Sequence, residues 1–124
     1  MKKKILIIDD EEDICEMMKL NLETTGDFEV ATAYTGEKGV ESIKSGNFDL
    51  IITDFYMPGM DGGEVLEEAK RLKPDLPVLI FSIYHDDEST LTGSIKEKAD
   101  GIISKPIEHN QLYSEIKKAL NKKK

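Results

Sequence analysis

Five polar residues stand where apolar runs break off, and their types suit the handling of a phosphoryl group. Asp9 and Asp10 follow Ile5–Ile8, Asp54 closes the run that begins at Leu50, Ser82 lies in the run 78–83, and Lys105 follows Ile102–Ser104. Three carboxylates in one pocket repel: two unit charges ~4 Å apart cost about 4 kcal/mol at an effective dielectric near 20. A hard divalent cation relieves that cost, and ligation by carboxylates and water suits Mg²⁺. Lys105 offers a compact positive charge for a phosphate, and Ser82 a hydroxyl donor. One of the carboxylates would then serve as the nucleophile. Asp54 itself lies under a loop broken by Pro58 and Gly59.

These residues meet only if the runs that carry them lie side by side. Ile5–Ile8, Leu50–Ile52 and Val78–Ile83 are continuous apolar stretches, as expected of strands covered on both faces. Phe28–Ala33 alternates more, which predicts an edge strand. Between the strands the spacing is helical. Ile14, Met17, Met18 and Leu22 predict a buried face for a helix over 12–25 stopped by Gly26, and Val40 and Ile43 one over 35–45. Asp61 and Glu64 have capping-box spacing ahead of Val65, Leu66 and Ala69, so Asp61 reads as a helix cap before it reads as a metal ligand. A fourth helix over 87–98 is weak, because Thr90, Thr92, Gly93 and Ser94 are poor formers and Leu91 and Ile95 are its main anchors. Leu112, Ile116, Ala119 and Leu120 mark the last.

Strand and helix thus alternate five times. That order requires crossovers, a parallel sheet and helices on both faces. With the strand order 2-1-3-4-5, borrowed from flavodoxin-like doubly wound folds, the carboxyl ends carrying Asp9, Asp10, Asp54, Ser82 and Lys105 converge on one edge, where such sheets bind ligands.

The totals narrow the partners. A chain of 124 residues is expected to form one domain, 1–124, with a core that needs no staples. Its net charge is −8, and six of its 17 basic residues are Lys2–Lys4 and Lys122–Lys124, so the body is strongly acidic. That disfavours direct nucleic-acid binding, which needs a basic face. One cysteine, Cys15, excludes an internal disulfide. With no long apolar stretch and no signal peptide, a cytoplasmic protein without a membrane partner is expected. Cys15 reads as an apolar filler, Met17 and Met18 as core, Met57 and Met60 as loop packing, and His85 and His109 lack ligand spacing.

The chain resembles the receiver domain of bacterial two-component response regulators, over essentially its whole length. The matching pieces are Ile5-Leu-Ile-Ile-Asp9-Asp10-Glu-Glu, Asp54-Phe-Tyr-Met-Pro-Gly-Met-Asp-Gly62, Ser82 after the fourth strand and Lys105-Pro106 after the fifth. Each piece alone is weak; all four in this order are specific. The resemblance implies that Asp54 accepts a phosphoryl group from the phosphohistidine of a sensor histidine kinase or phosphotransfer protein. It implies that Asp10, Asp54 and the backbone carbonyl of Tyr56 hold Mg²⁺, that Asp9 acts through a metal-bound water, that Lys105 pairs with phosphoryl oxygens, and that Ser82 hydrogen-bonds the phosphoryl group and couples it to shape. The domain would catalyse its own loading and slow unloading, without being an enzyme acting on an external substrate, and would bind an output partner that the sequence does not name. Nothing follows residue 124, so a stand-alone regulator, a relay intermediate and an excised receiver all remain open.

Three positions depart from the family pattern. Ile102 stands where an aromatic usually turns inward, Ile83 follows Ser82 where a small residue is commoner, and Gly63 weakens the start of the third helix. A switch through Ser82 and the weak fourth helix is therefore expected in place of a ring flip. Tyr56 and Tyr84 occupy positions that tune phosphoryl lifetime in the family, so Tyr56→Asn is expected to change the decay rate; the plainer reading makes both tyrosines loop surface. Two other functions compete. A Mg²⁺-dependent aspartyl-phosphate phosphohydrolase usually carries Asp-x-Asp after strand 1, whereas here the pair is adjacent. A phosphorylation-independent adaptor would not need the complete set of five.

Overall fold

Five strands alternate with five helices: β1 (Lys3–Ile8), α1 (Glu12–Thr24), β2 (Phe28–Ala33), α2 (Gly36–Ser45), β3 (Leu50–Asp54), α3 (Gly62–Leu72), β4 (Val78–Ser82), α4 (Gly93–Lys98), β5 (Gly101–Ser104) and α5 (His109–Lys122). The computed structural model describes residues 2–82, 93–104 and 108–122. Expectations that fall on Ile83, Tyr84, His85, Leu91, Lys105 and Pro106, and on the start of the fourth helix, lie outside the described residues. No helix among the described residues is long and apolar enough to cross a membrane.

The strands form one parallel sheet in the order β2-β1-β3-β4-β5. Its strands read as apolar runs because both faces are covered. Ile5, Ile7, Leu50, Ile52, Leu79 and Phe81 pack against Cys15, Met18 and Leu22 of α1 and Leu112, Ile116 and Ala119 of α5. The alternate residues Leu6, Ile8, Ile51, Val78 and Ile80 pack against Val40 and Ile43 of α2 and Val65, Leu66 and Ala69 of α3. Each large aliphatic buried in this way contributes about 1.5–3 kcal/mol of transfer free energy.

β2 lies at an edge, as its alternation predicts, and α1 covers part of it. Glu23 Oε2 accepts from the Val30 N–H at 3.0 Å, and Lys19 Nζ donates to the Val30 carbonyl at 3.1 Å. These are the backbone groups that an exposed edge would otherwise offer to another chain.

The helix boundaries follow local chemistry. Thr35 caps α2 by accepting from the Lys38 N–H at 3.0 Å. Asp61 and Glu64 form the expected capping box, with bonds of 2.9 and 3.0 Å. Past the end of α1, Gly26 adopts φ +84, the left-handed conformation that favours glycine. One expectation fails in α1. Met17 is 47% exposed, and the buried stripe is instead Cys15, Met18 and Leu22. Apolar residues occupy so much of this helix's circumference that spacing alone does not fix which row turns inward; packing against β1 and β2 does.

Candidate functional site

At the carboxyl edge of the sheet, three carboxylates come together. Asp9, Asp10 and Asp54 each present an oxygen, and these oxygens lie within 4.8 Å of one another. Asp9 directly follows β1 and Asp54 is the last residue of β3, so the pairing of these adjacent strands brings them to one level.

Asp9 is fully buried. Its N–H donates to the Ala33 carbonyl at 3.1 Å, tying it to the end of β2. Its Oδ1 accepts from the Glu11 N–H at 2.9 Å, at the entry to α1. The Cys15 thiol, one turn into that helix, donates to the Asp9 carbonyl at 3.4 Å. Burial, reinforced by the negative charge of Asp9, pushes that thiol from the usual 9.0 up to about 12, so it stays protonated. Cys15 is thus the buried small residue expected, but also a donor at the site.

Asp54 is also buried, at 4% exposure, whereas Asp10 is exposed. The backbone around Asp54 is held on three sides. Thr53 Oγ1 donates to the Asp54 carbonyl at 3.0 Å, the Phe55 N–H donates to the Phe81 carbonyl at 3.0 Å, and the Gly62 N–H to the Phe55 carbonyl at 2.9 Å. Gly62 lies so close that a Cβ there would collide with the Asp54 carbonyl and the Phe55 Cα. The glycine at the head of α3 therefore lets the helix abut the strand end that carries Asp54. Gly63 is occupied in a similar sense: a Cβ would meet the Ile95 side chain of α4 at 3.1 Å.

Ser82 ends β4, is fully buried, and pairs in register with Ser104, the last residue of β5. Lys105 follows Ser104 in the sequence and lies outside the described residues. Tyr56 is 40% exposed, with its ring edge-to-face on Phe55 at 5.0 Å. Met57 is buried in the core on the α2 and α3 face, and Met60 packs partly buried beside it, as loop packing predicts. The Asp61 carboxylate is engaged in its capping box. Ile102 is half-buried and packs with Ile95 against the same core.

The donor set fits a hard divalent cation. Three carboxylate oxygens at this separation share one charge problem, and all are oxygen ligands of the kind Mg²⁺ takes alongside water. Asp9, Asp10 and Asp54 were each legible as strand-end acids. Thr53 and Gly62 were given no role there, and Cys15 only that of an apolar filler. A Gly62-Gly63 pair in a helix's first turn is a signal of close backbone approach; Cys15 carries no comparable mark in the sequence.

Comparison with known proteins gives a consistent answer. The family profile described as the response regulator receiver domain matches residues 5–117. The chain is 31% identical over 122 residues to the alkaline phosphatase synthesis transcriptional regulatory protein PhoP of Bacillus subtilis, covering 98% of this chain and 50% of that protein. It is 34% identical over 116 residues to the transcriptional regulatory protein ZraR of Escherichia coli, covering 94% of this chain and 26% of that protein. The chain therefore spans half or less of these curated relatives. Among solved structures, a CheY-like receiver domain protein from Methanospirillum hungatei is 32% identical with a TM-score of 0.88, covering 99% of this chain and 97% of that one. The response regulator TrrA of Thermotoga maritima, in complex with Mg²⁺-BeF, is 34% identical with a TM-score of 0.85, covering 94% of this chain and 98% of that one.

Proposed function

The chain belongs to the response regulator receiver family, and on that premise we propose that its residues 1–124 form a phosphorylation-switched receiver in which Asp54 is the phosphoacceptor. The observation that carries this reading is the convergence of Asp9, Asp10 and Asp54 at the ends of β1 and β3. The Mg²⁺-BeF complex of the Thermotoga relative supports the same chemistry.

In this reading a carboxylate oxygen of Asp54 attacks phosphorus in line. The P–N bond to a kinase histidine breaks, and the imidazole leaves with the electron pair and takes up a proton. Asp10, Asp54 and the Tyr56 carbonyl would hold the ion, with Asp9 acting through a metal-bound water. When bound, Mg²⁺ supplies positive charge against the phosphoryl oxygens, in a transfer that depends mostly on positioning and electrostatics. Lys105 adds a second positive charge, and Ser82 donates a hydrogen bond to the loaded group. Burial of Asp54 keeps water sparse around the acyl phosphate, whose later hydrolysis returns the carboxylate and inorganic phosphate. Ile102, aliphatic and packed with Ile95, leaves Ser82 and α4 as the route from phosphoryl group to surface.

Intact mass after incubation with acetyl phosphate and Mg²⁺ tests the proposal. The wild type should gain one phosphoryl group, and Asp54→Asn or the wild type with EDTA should gain none. Equal gain by Asp54→Asn would refute Asp54 as the acceptor. For the switch, segment 84–99 should differ between the apo and phosphate-mimic states; an unchanged segment would refute that route.

A further inference from the structure

The metal reading leaves open how Asp10 is aimed. Asp9 and Asp54 are buried and held by their surroundings, but Asp10 is exposed, so packing does little to orient it. Its direction depends on the backbone from which it projects. Asp9 and Asp10 share one planar peptide unit, so whatever fixes the Asp9 carbonyl fixes the plane from which Asp10 starts. On one side, the Asp9 N–H is tied to Ala33 at 3.1 Å. On the other, the carbonyl accepts from Cys15 Sγ at 3.4 Å. Cys15 is itself fixed, fully buried in the core cluster that includes Ile5, Ile7 and Met18, with its N–H donating to the Glu11 carbonyl at 3.2 Å.

We propose that the Cys15 thiol is a positioning residue for the carboxylate cluster: by donating to the Asp9 carbonyl it fixes the Asp9–Asp10 peptide and so aims the Asp10 carboxylate at the cation. The inference rests on the metal reading above. The thiol is not itself a ligand, since it is directed to a carbonyl oxygen and sulfur is too soft a donor for a cation of the Mg²⁺ class. Its place in α1 makes the first turn of that helix, through Glu11 and Cys15 together, the support of the β1 end of the site.

Cys15→Ala removes the donor; Cys15→Ser keeps one. Three quantities separate the roles: the Mg²⁺ Kd by calorimetry, the apo Tm, and the hydrogen exchange of the Asp10 amide by NMR. Both variants should lower Tm, because both disturb a buried position. Cys15→Ala should weaken Mg²⁺ about 3–10-fold, near the low end for loss of an outer-shell partner because S–H is a weak donor, while Cys15→Ser stays within about 2-fold of wild type. The Asp10 amide should exchange faster in Cys15→Ala alone. A Cys15→Ala protein with wild-type Kd, or a Cys15→Ser protein weakened as much as Cys15→Ala, would overturn the clamp while leaving the metal site standing. A wild type that takes up no Mg²⁺ would overturn the metal reading and the aiming role with it.

Discussion

Aspartates crowd both edges of the sheet, and they do different work at each. At the amino edge, Asp27, Asp49 and Asp100 stand one residue before β2, β3 and β5. Each is matched to donors of its own. Asp49 Oδ2 accepts from the Lys4 N–H at 2.8 Å. Asp100 Oδ2 accepts from the Val78 N–H at 2.8 Å and from Lys70 Nζ at 2.9 Å. Asp27 Oδ2 accepts from the Tyr113 hydroxyl at 2.9 Å. At the carboxyl edge, Asp9, Asp10 and Asp54 are gathered with their oxygens within 4.8 Å of one another. A carboxylate spread out and matched to its own donor ties strands and helices together. Carboxylates pooled in one place concentrate a charge that favours a cation. The residue type is the same; the spacing decides whether it is mortar or site.

That contrast can be broken by exchanging the expected consequences. The largest stability effect should come from Asp100→Ala, which leaves the half-buried Lys70 and the Val78 N–H without this acceptor. Unfolding free energy measured in urea should fall by about 2 kcal/mol, with Mg²⁺ uptake unchanged. If uptake fell with it, the two edges would not be separable.

Asp10→Asn should act in the opposite direction. It removes one of three like charges, and relief of about 1 kcal/mol of repulsion would raise the apo Tm by a few degrees. The same variant should lose most of the Tm increase that Mg²⁺ gives the wild type. A lower apo Tm in Asp10→Asn would mean that the pooled carboxylates are structural after all.

Tyr113→Phe should do least. It deletes one exposed hydrogen bond to Asp27 but keeps the edge-to-face contact with Phe28 at 5.9 Å. A loss of about 0.5 kcal/mol in thermal or urea unfolding is expected, with no change at the carboxyl edge. A loss several times larger would show that the amino edge is as strongly coupled as the site.

Much of this molecule is written locally. Short apolar runs separated by helical spacing leave a parallel sheet as the way to bury every strand, and the alternation of Phe28–Ala33 marks the edge. Asp61 and Glu64 are three residues apart, so their capping box is a local event that the sequence contains in full. Asp9, Asp10, Asp54 and Ser82 are legible because strand ends in such a sheet share one edge. Other features are decided between distant segments. Lys70 and Asp100 are separated by 30 residues, and nothing near either one announces the other. In α1, Met17 faces outward and Cys15 inward, because the fit against β1 and β2 chooses among several apolar rows of similar hydrophobicity. Gly62 is required by the backbone of Asp54 and Phe55 pressing against it.

The sequence by itself determined the order of elements, the capping box of α3 and the acids at the strand ends, because these depend on period, turn chemistry and neighbours a few residues away. Tertiary structure alone decided which helix row is buried, which donors Asp27, Asp49 and Asp100 meet, and what the Cys15 thiol touches. Those outcomes depend on packing and charge between segments that only folding brings together.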